Sequence, residues 1–118
     1  MPTTAECWEM GVLIERCACA VFHAMSYFRM SPTSSMDVDQ LKRLHETMSV
    51  LYGHYSIFDQ QVLRVNRLLE EILAMRTNRY NPQDRTTRDA IFGRLSEIKG
   101  IFKSMNVTVT HDICGSGG

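Results

Sequence analysis

Residues 41–72 read LKRLHETMSVLYGHYSIFDQQVLRVNRLLEEI and carry the most regular pattern in the chain. Their apolar residues follow one another at alternating steps of three and four positions, which is the heptad spacing of a long α-helix. We call these residues the heptad seam: Leu41, Leu44, Met48, Leu51, Tyr55, Phe58, Val62, Val65, Leu69 and Ile72. The spacing predicts one continuous helix over residues 37–77, with Gly53 as the point where a kink is easiest.

Two shorter helices are predicted, one on each side of this segment. Residues 4–30 repeat the same spacing from Cys7 to Phe28, and Pro32 then stops the helix because it disfavours helical geometry in the residue before it. Residues 87–105 form the other, with a buried stripe of Ile91, Leu95, Ile98, Phe102 and Met105.

The predicted fold is all-α, with two shorter helices antiparallel to one long central helix in a coiled-coil-like bundle. Short connections between helices favour antiparallel neighbours. Residues 1–106 would form this single helical domain, and residues 107–118 are predicted to be a flexible C-terminal tail because they end in Gly-Ser-Gly-Gly.

A homodimer is predicted from the length of the central helix. Residues 37–77 would span about 60 Å, whereas a compact chain of this size is about 35 Å across. A second copy would cover the apolar side chains that the two shorter helices leave open, at an interface of Val50, Tyr55, Ile57, Phe58, Val62, Val65, Leu69 and Ile72. The alternative is that these residues are the core of a monomer kinked at Gly53.

The composition favours interaction over catalysis. Thirteen basic residues balance thirteen acidic ones, so the whole chain has no charge signal for nucleic acid or for an anionic membrane. The sequence has no Gly-rich phosphate loop and no hydrolase or metalloprotease motif. We therefore expect a non-enzymatic assembly or adaptor protein that binds itself or a helical partner, with no cofactor, no small-molecule substrate and no membrane span.

The four cysteines do not form a pattern typical of a disulfide framework. Cys7, Cys17 and Cys19 belong to one predicted helix, where Cys17 and Cys19 point to different faces and cannot be bridged. No secretory signal is visible at the N-terminus. These observations predict a reducing intracellular compartment, the cytoplasm or the nucleus.

One set of side chains has the composition of a zinc site. Cys19 and His23 lie one turn apart on a helix, and His111 and Cys114 supply a second pair. Together they are a Cys2His2 set, which suits tetrahedral zinc, although the spacing is not that of a common zinc finger. The alternative is that Cys19 and His23 are ordinary members of an apolar helix, and we expect no bound metal.

A basic cluster near the connection between the second and third predicted helices suggests a different function. Its members are Arg76, Arg79, Tyr80, Arg85 and Arg88, with Arg64 and Arg67 nearby. Arginines with an aromatic side chain among them can bind phosphates and stack on bases, and arginine also pairs with carboxylates of an acidic protein partner. The alternative prediction is a dimeric helical nucleic-acid-binding protein that uses this cluster.

Overall fold

The computed structural model describes residues 4–30, 36–51, 58–77 and 84–109. They form four helices: α1 (Thr4–Met30), α2 (Met36–Leu51), α3 (Asp59–Thr77) and α4 (Arg85–Val107). No strand occurs within these ranges, so the described part of the chain is all-α as predicted. The predicted number of three helices is wrong, because these ranges alone contain four.

Helix α1 has the predicted bounds. Glu6 in its first turn and Arg29 in its last turn place charges where the helix dipole favours them. One side of the helix forms a continuous buried stripe of Met10, Ile14, Cys17, Val21, Ala24 and Phe28, none of which is more than 3% exposed. This stripe is the one that the heptad spacing of residues 4–30 predicts.

Helix α4 begins two residues before the predicted start and ends two residues after the predicted end. Asp84 is its N-cap and accepts hydrogen bonds from the Thr86 backbone N–H at 3.1 Å and the Thr87 hydroxyl at 2.8 Å. All five predicted core residues are fully buried: Ile91, Leu95, Ile98, Phe102 and Met105. The packed part of the chain extends past residue 106, since Val109 is 4% exposed and joins the core. Residues 110–118 of the predicted tail lie outside the described ranges.

The single long helix predicted over residues 37–77 is wrong. α2 ends at Leu51, α3 begins at Asp59, and the two helices pack against each other. His45 Nε2 lies 3.4 Å from Glu70 Oε1, although residues 25 positions apart on one straight helix are separated by about 37 Å. The chain therefore folds back between α2 and α3; the predicted kink at Gly53 falls outside the described residues.

Two ion pairs show that α3 and α4 are antiparallel. Arg64 Nε lies 2.8 Å from Glu97 Oε2, and Arg94 Nε lies 2.9 Å from Glu71 Oε2. Moving forward along α3 from Arg64 to Glu71 therefore corresponds to moving backward along α4. The hydrogen bond and the charge of Glu97 raise the pKa of Arg64, and both partners remain about half exposed.

Helices α1 and α4 are antiparallel by the same reasoning. The Arg29 guanidinium lies 5.2 Å from the Phe92 ring centroid, and the Lys99 ammonium lies 5.8 Å from the Phe22 ring centroid. Because α1 and α3 each pack against both α2 and α4, the four helices enclose one core. The result is an antiparallel four-helix bundle with maximum dimensions of 51 × 23 × 19 Å.

The heptad seam lies inside this bundle. Its members with described side chains are at most 3% exposed: Leu41, Leu44, Met48, Phe58, Val62, Val65, Leu69 and Ile72. Five of them belong to the predicted dimer interface, and the fold places them in the core of one chain because α3 folds back onto α2. The structure does not describe the side chains of Val50, Tyr55 and Ile57. The size argument for a dimer assumed an unbroken helix and no longer applies.

Candidate interaction surfaces

One side of α1 points away from the core and carries two exposed aromatic side chains together with smaller and polar ones. Its members are Trp8, Val12, Glu15, Cys19, Phe22 and His23, which we call the outer face of α1. Their spacing places them on one side of a helix with 3.6 residues per turn, opposite the buried stripe. Trp8 is 70% exposed and Phe22 is 56% exposed. Exposed aromatic side chains that share a helix face are typical of protein-interaction sites.

The outer face extends into a run of α1 that contains no charged residue, residues 17–28. Such a run predicts a helix covered on several sides. The structure buries Val21 and Ala24 fully and Ala18, Ala20 and Met25 in part, whereas Cys19, Phe22 and His23 on the opposite side are exposed. The described chain therefore leaves the other side of this run open to solvent.

A groove of about 490 Å³ follows the outer face between α1 and α2. It is lined by Val12, Glu15, Arg16, Cys19, Ala20, His23 and Gln40. The Phe22 and His23 rings meet edge to face with centroids 6.2 Å apart. Apolar side chains thus stand next to polar ones along the whole groove, a mixture found at protein-interaction surfaces.

The cysteines differ from the sequence prediction at one position. Cys7 is disulfide-bonded, whereas Cys17 and Cys19 are free thiols. The spacing of the cysteines gave no sign of the disulfide at Cys7, whereas the predicted absence of a bridge between Cys17 and Cys19 is confirmed. The predicted reducing compartment stays a prediction. Burial raises the pKa of the Cys17 thiol to about 12, while Cys19 is exposed on the outer face.

The predicted zinc ligands are brought together only in part. Cys19 and His23 are neighbours on the outer face of α1, and His111 and Cys114 lie outside the described residues. Within the described ranges, no group of three or more His, Cys, Asp or Glu side chains is arranged to hold a metal ion. The Cys2His2 site stays a prediction.

The predicted basic cluster is divided by the fold. Arg64 pairs with Glu97 in the α3–α4 interface, and Arg85 Nε lies 3.8 Å from Asp89 Oδ2. Arg79 and Tyr80 lie outside the described residues. Two other members stay at one end of the bundle: Arg76, whose guanidinium lies 5.9 Å from the Phe28 ring centroid, and Arg88.

Arg29 belongs to the same end of the bundle and is absent from the predicted cluster. Its guanidinium packs over Phe92 and lines a cavity together with Arg88. Arg29 and Arg88 are far apart in the sequence, and only the antiparallel packing of α1 and α4 brings them together. No local sequence signal indicates this pair, whereas the spacing of Trp8, Val12, Cys19 and Phe22 does indicate a common face.

None of the described helices contains a stretch long and apolar enough to cross a lipid bilayer. Comparisons with protein families, with curated proteins and with solved structures give no match to the chain.

Proposed function

We propose that the chain is a non-enzymatic helical protein that acts through protein–protein interaction, and that the outer face of α1 is its binding surface. The observation that carries this proposal is the exposure of Trp8 and Phe22 on one face of a helix with a long uncharged run. Large aromatic side chains supply much of the binding energy at protein interfaces.

The free energy that a partner could gain by burying Trp8 and Phe22 supports this choice of surface. Burying the exposed parts of Trp8 and Phe22 would remove about 250 Å² from water, which corresponds to a gross gain of about 6 kcal/mol before the entropic cost of association. The two side chains lie about 21 Å apart along the helix, so one partner helix can contact both. Two such anchors can form the centre of an interface.

Self-association is part of the proposal. The outer face of one chain can pack on the outer face of a second chain, and a two-fold dimer of this kind buries the same surface twice and leaves no open end. The support for a dimer is now the uncovered face of α1, since the heptad seam is used inside the chain. A helical partner of a different sequence would use the same face.

Photo-crosslinking tests this function. A benzoylphenylalanine at Phe22 should give a discrete crosslinked product in cells that make the protein. The same residue at Arg67, which is exposed on α3, should give none. A product of twice the 13.5 kDa chain mass identifies a second copy, and a heavier product a different partner. Replacing Trp8 with Asp should remove the product; equal products from Phe22 and Arg67 would contradict the proposal.

Nucleic-acid binding is a second candidate, favoured by the meeting of Arg29, Arg76 and Arg88 from three helices at one end of the bundle. Binding of this kind should weaken steeply with salt because phosphate contacts release counterions. Retention on heparin and binding of a labelled oligonucleotide at low salt test it. A chain that binds neither at low salt excludes this function.

A further inference from the structure

A small cavity lies where α1 ends and α4 begins. Its volume is about 180 Å³, and it is lined by Phe28, Arg29, Arg88, Asp89 and Phe92. The two phenylalanines give the lining apolar surface, and the two arginines give it positive charge. A third guanidinium, that of Arg76, lies 5.9 Å from the Phe28 ring centroid.

Arg88 has an unused hydrogen-bond donor at this cavity. Its Nε atom is buried and has no hydrogen-bond partner among the described residues. The backbone N–H of Arg88 is engaged, since it donates to the Asp84 carbonyl in the first turn of α4. A buried donor without a partner is rare in folded proteins, and a bound hydrogen-bond acceptor would satisfy it.

Arg29 faces the same space. Its guanidinium lies over the Phe92 ring, at 5.2 Å from the centroid, a contact that leaves the N–H groups of the guanidinium available as hydrogen-bond donors. Neither Arg29 nor Arg88 forms an ion pair with a carboxylate of the described residues. Two arginines at one cavity supply the kind of charged N–H donors that phosphate oxygens accept.

Asp89 is the single acidic side chain in the lining. Its side chain is 74% exposed, and its Oδ2 lies 3.8 Å from Arg85 Nε, so Arg85 partly neutralises it. The lining therefore keeps a net positive charge from Arg29 and Arg88. The cavity is below the range of about 300 to 1,000 Å³ that is typical of pockets for drug-sized ligands, which suits one small group better than a whole cofactor.

We propose that Arg29 and Arg88 bind one phosphate group at this cavity, either as inorganic phosphate or as the terminal phosphate monoester of a larger molecule. The Nε of Arg88 and the N–H donors of Arg29 hold the phosphate oxygens, and the Phe28 and Phe92 rings supply the apolar part of the lining. The site is separate from the outer face of α1 and does not depend on its function.

Calorimetric titration of the full chain at pH 7.5 tests this site, with ionic strength held constant by sodium chloride. Inorganic phosphate and phosphoserine are the two probes. We expect saturable binding of at least one of them, weakened at least tenfold by Arg29→Gln and by Arg88→Gln. The matched control Arg67→Gln removes an exposed arginine on another helix and should leave binding unchanged.

A variant with the opposite effect separates binding from folding. Asp89→Asn removes the opposing charge in the lining and should tighten phosphate binding, a gain that damage to the fold would not produce. Tighter binding of phosphoserine than of phosphate identifies a phosphorylated molecule as the ligand, and the reverse order identifies the free anion. Absence of saturable binding, or equal losses in Arg67→Gln and Arg88→Gln, would overturn the proposal.

Discussion

Cys17 and Cys19 are two residues apart on α1 and have opposite environments. Cys17 is 2% exposed, and loss of hydration raises its pKa to about 12, whereas Cys19 lies in solvent on the outer face. Alkylation requires the thiolate and access to it. At pH 8 we therefore expect iodoacetamide to modify Cys19 in the native protein and Cys17 only after unfolding, as measured by peptide mass spectrometry.

In the same alkylation experiment, the disulfide should make Cys7 react differently from both Cys17 and Cys19. Cys7 should resist alkylation even in denaturant and should react only after a reductant is added. Modification of Cys17 in the native protein at the rate of Cys19 would contradict the buried stripe of α1. Modification of Cys7 without reductant would show that the protein is made with a free thiol at this position.

Asp84 should make the stability of α4 depend on pH. Hydrogen bonds from Thr87 and from the backbone N–H of Thr86 lower the pKa of its carboxyl group. Because the folded pKa lies below the unfolded value of about 3.9, the contribution of this cap is present above that value and is lost as pH falls through the folded pKa. At pH 7, Asp84→Ala should lower the free energy of unfolding by more than a substitution elsewhere on the exposed surface of α4 does, because it removes the side chain that caps the helix.

Urea unfolding followed by circular dichroism measures this loss of stability, and a second variant of α4 serves as the control. Ser96→Ala changes an exposed residue in the middle of α4 and should alter the free energy of unfolding by less than about 0.5 kcal/mol. The difference between wild type and Asp84→Ala should shrink at low pH. A difference that stays constant down to pH 2 would show that the carboxylate is not the cap.

At the scale of the helices, the sequence predicts α1, α4 and most of the core because each helix buries one regular stripe. The break between α2 and α3 is missed for a physical reason. Leu51 and Phe58 are seven residues apart, which is one whole heptad, so the apolar spacing continues across the connection. An unbroken helix and two helices whose stripes are offset by seven residues have the same spacing.

The two candidate surfaces differ in how far the sequence predicts them. The spacing of Trp8, Val12, Cys19 and Phe22 indicates one helix face, but whether that face is covered depends on the neighbours of α1 in the bundle. α1 packs against α2 and α4 and keeps its third side open. The pair of Arg29 and Arg88 depends on tertiary packing alone, and spacing within one helix contains no information about it.

Two leucines on α3, one buried and one exposed, allow the cost of the same substitution to be compared inside and outside the bundle. Leu69 is fully buried in the heptad seam, and Leu63 is 52% exposed. Leu69→Ala should reduce the free energy of unfolding by about 2 to 5 kcal/mol, because it leaves a cavity. Leu63→Ala, the same chemical change on the same helix, should cost less than about 1 kcal/mol.

Chemical denaturation at two protein concentrations distinguishes a residue in the core of one chain from a residue at an interface between chains. The loss caused by Leu69→Ala should be the same at both concentrations, because the fold completes the seam within one chain. A loss that grows with dilution would place Leu69 at an interface between chains. Equal losses for Leu63 and Leu69 would contradict the orientation of α3.

For the whole molecule, closure of the bundle decides which surfaces remain for partners. The described residues of the heptad seam are buried in the core of the chain. The outer face of α1 and the end of the bundle with Arg29, Arg76 and Arg88 remain at the surface. Because the basic and acidic residues balance, long-range attraction contributes little to association at the outer face. Binding there should depend weakly on salt, whereas phosphate binding at Arg29 and Arg88 should weaken as salt rises.

The claim on which both surfaces depend is that α2 and α3 are separate helices folded back on each other. The distance between nitroxide labels at Arg43 and Glu70, measured by pulsed electron spin resonance, tests it most directly. Cys19→Ser prevents labelling of the exposed thiol, and an excess of unlabelled chain removes distances between copies. The fold predicts a distance below about 20 Å, since packed helices lie about 8 to 10 Å apart. A distance near 40 Å, the span of 27 residues on one continuous helix, would contradict it.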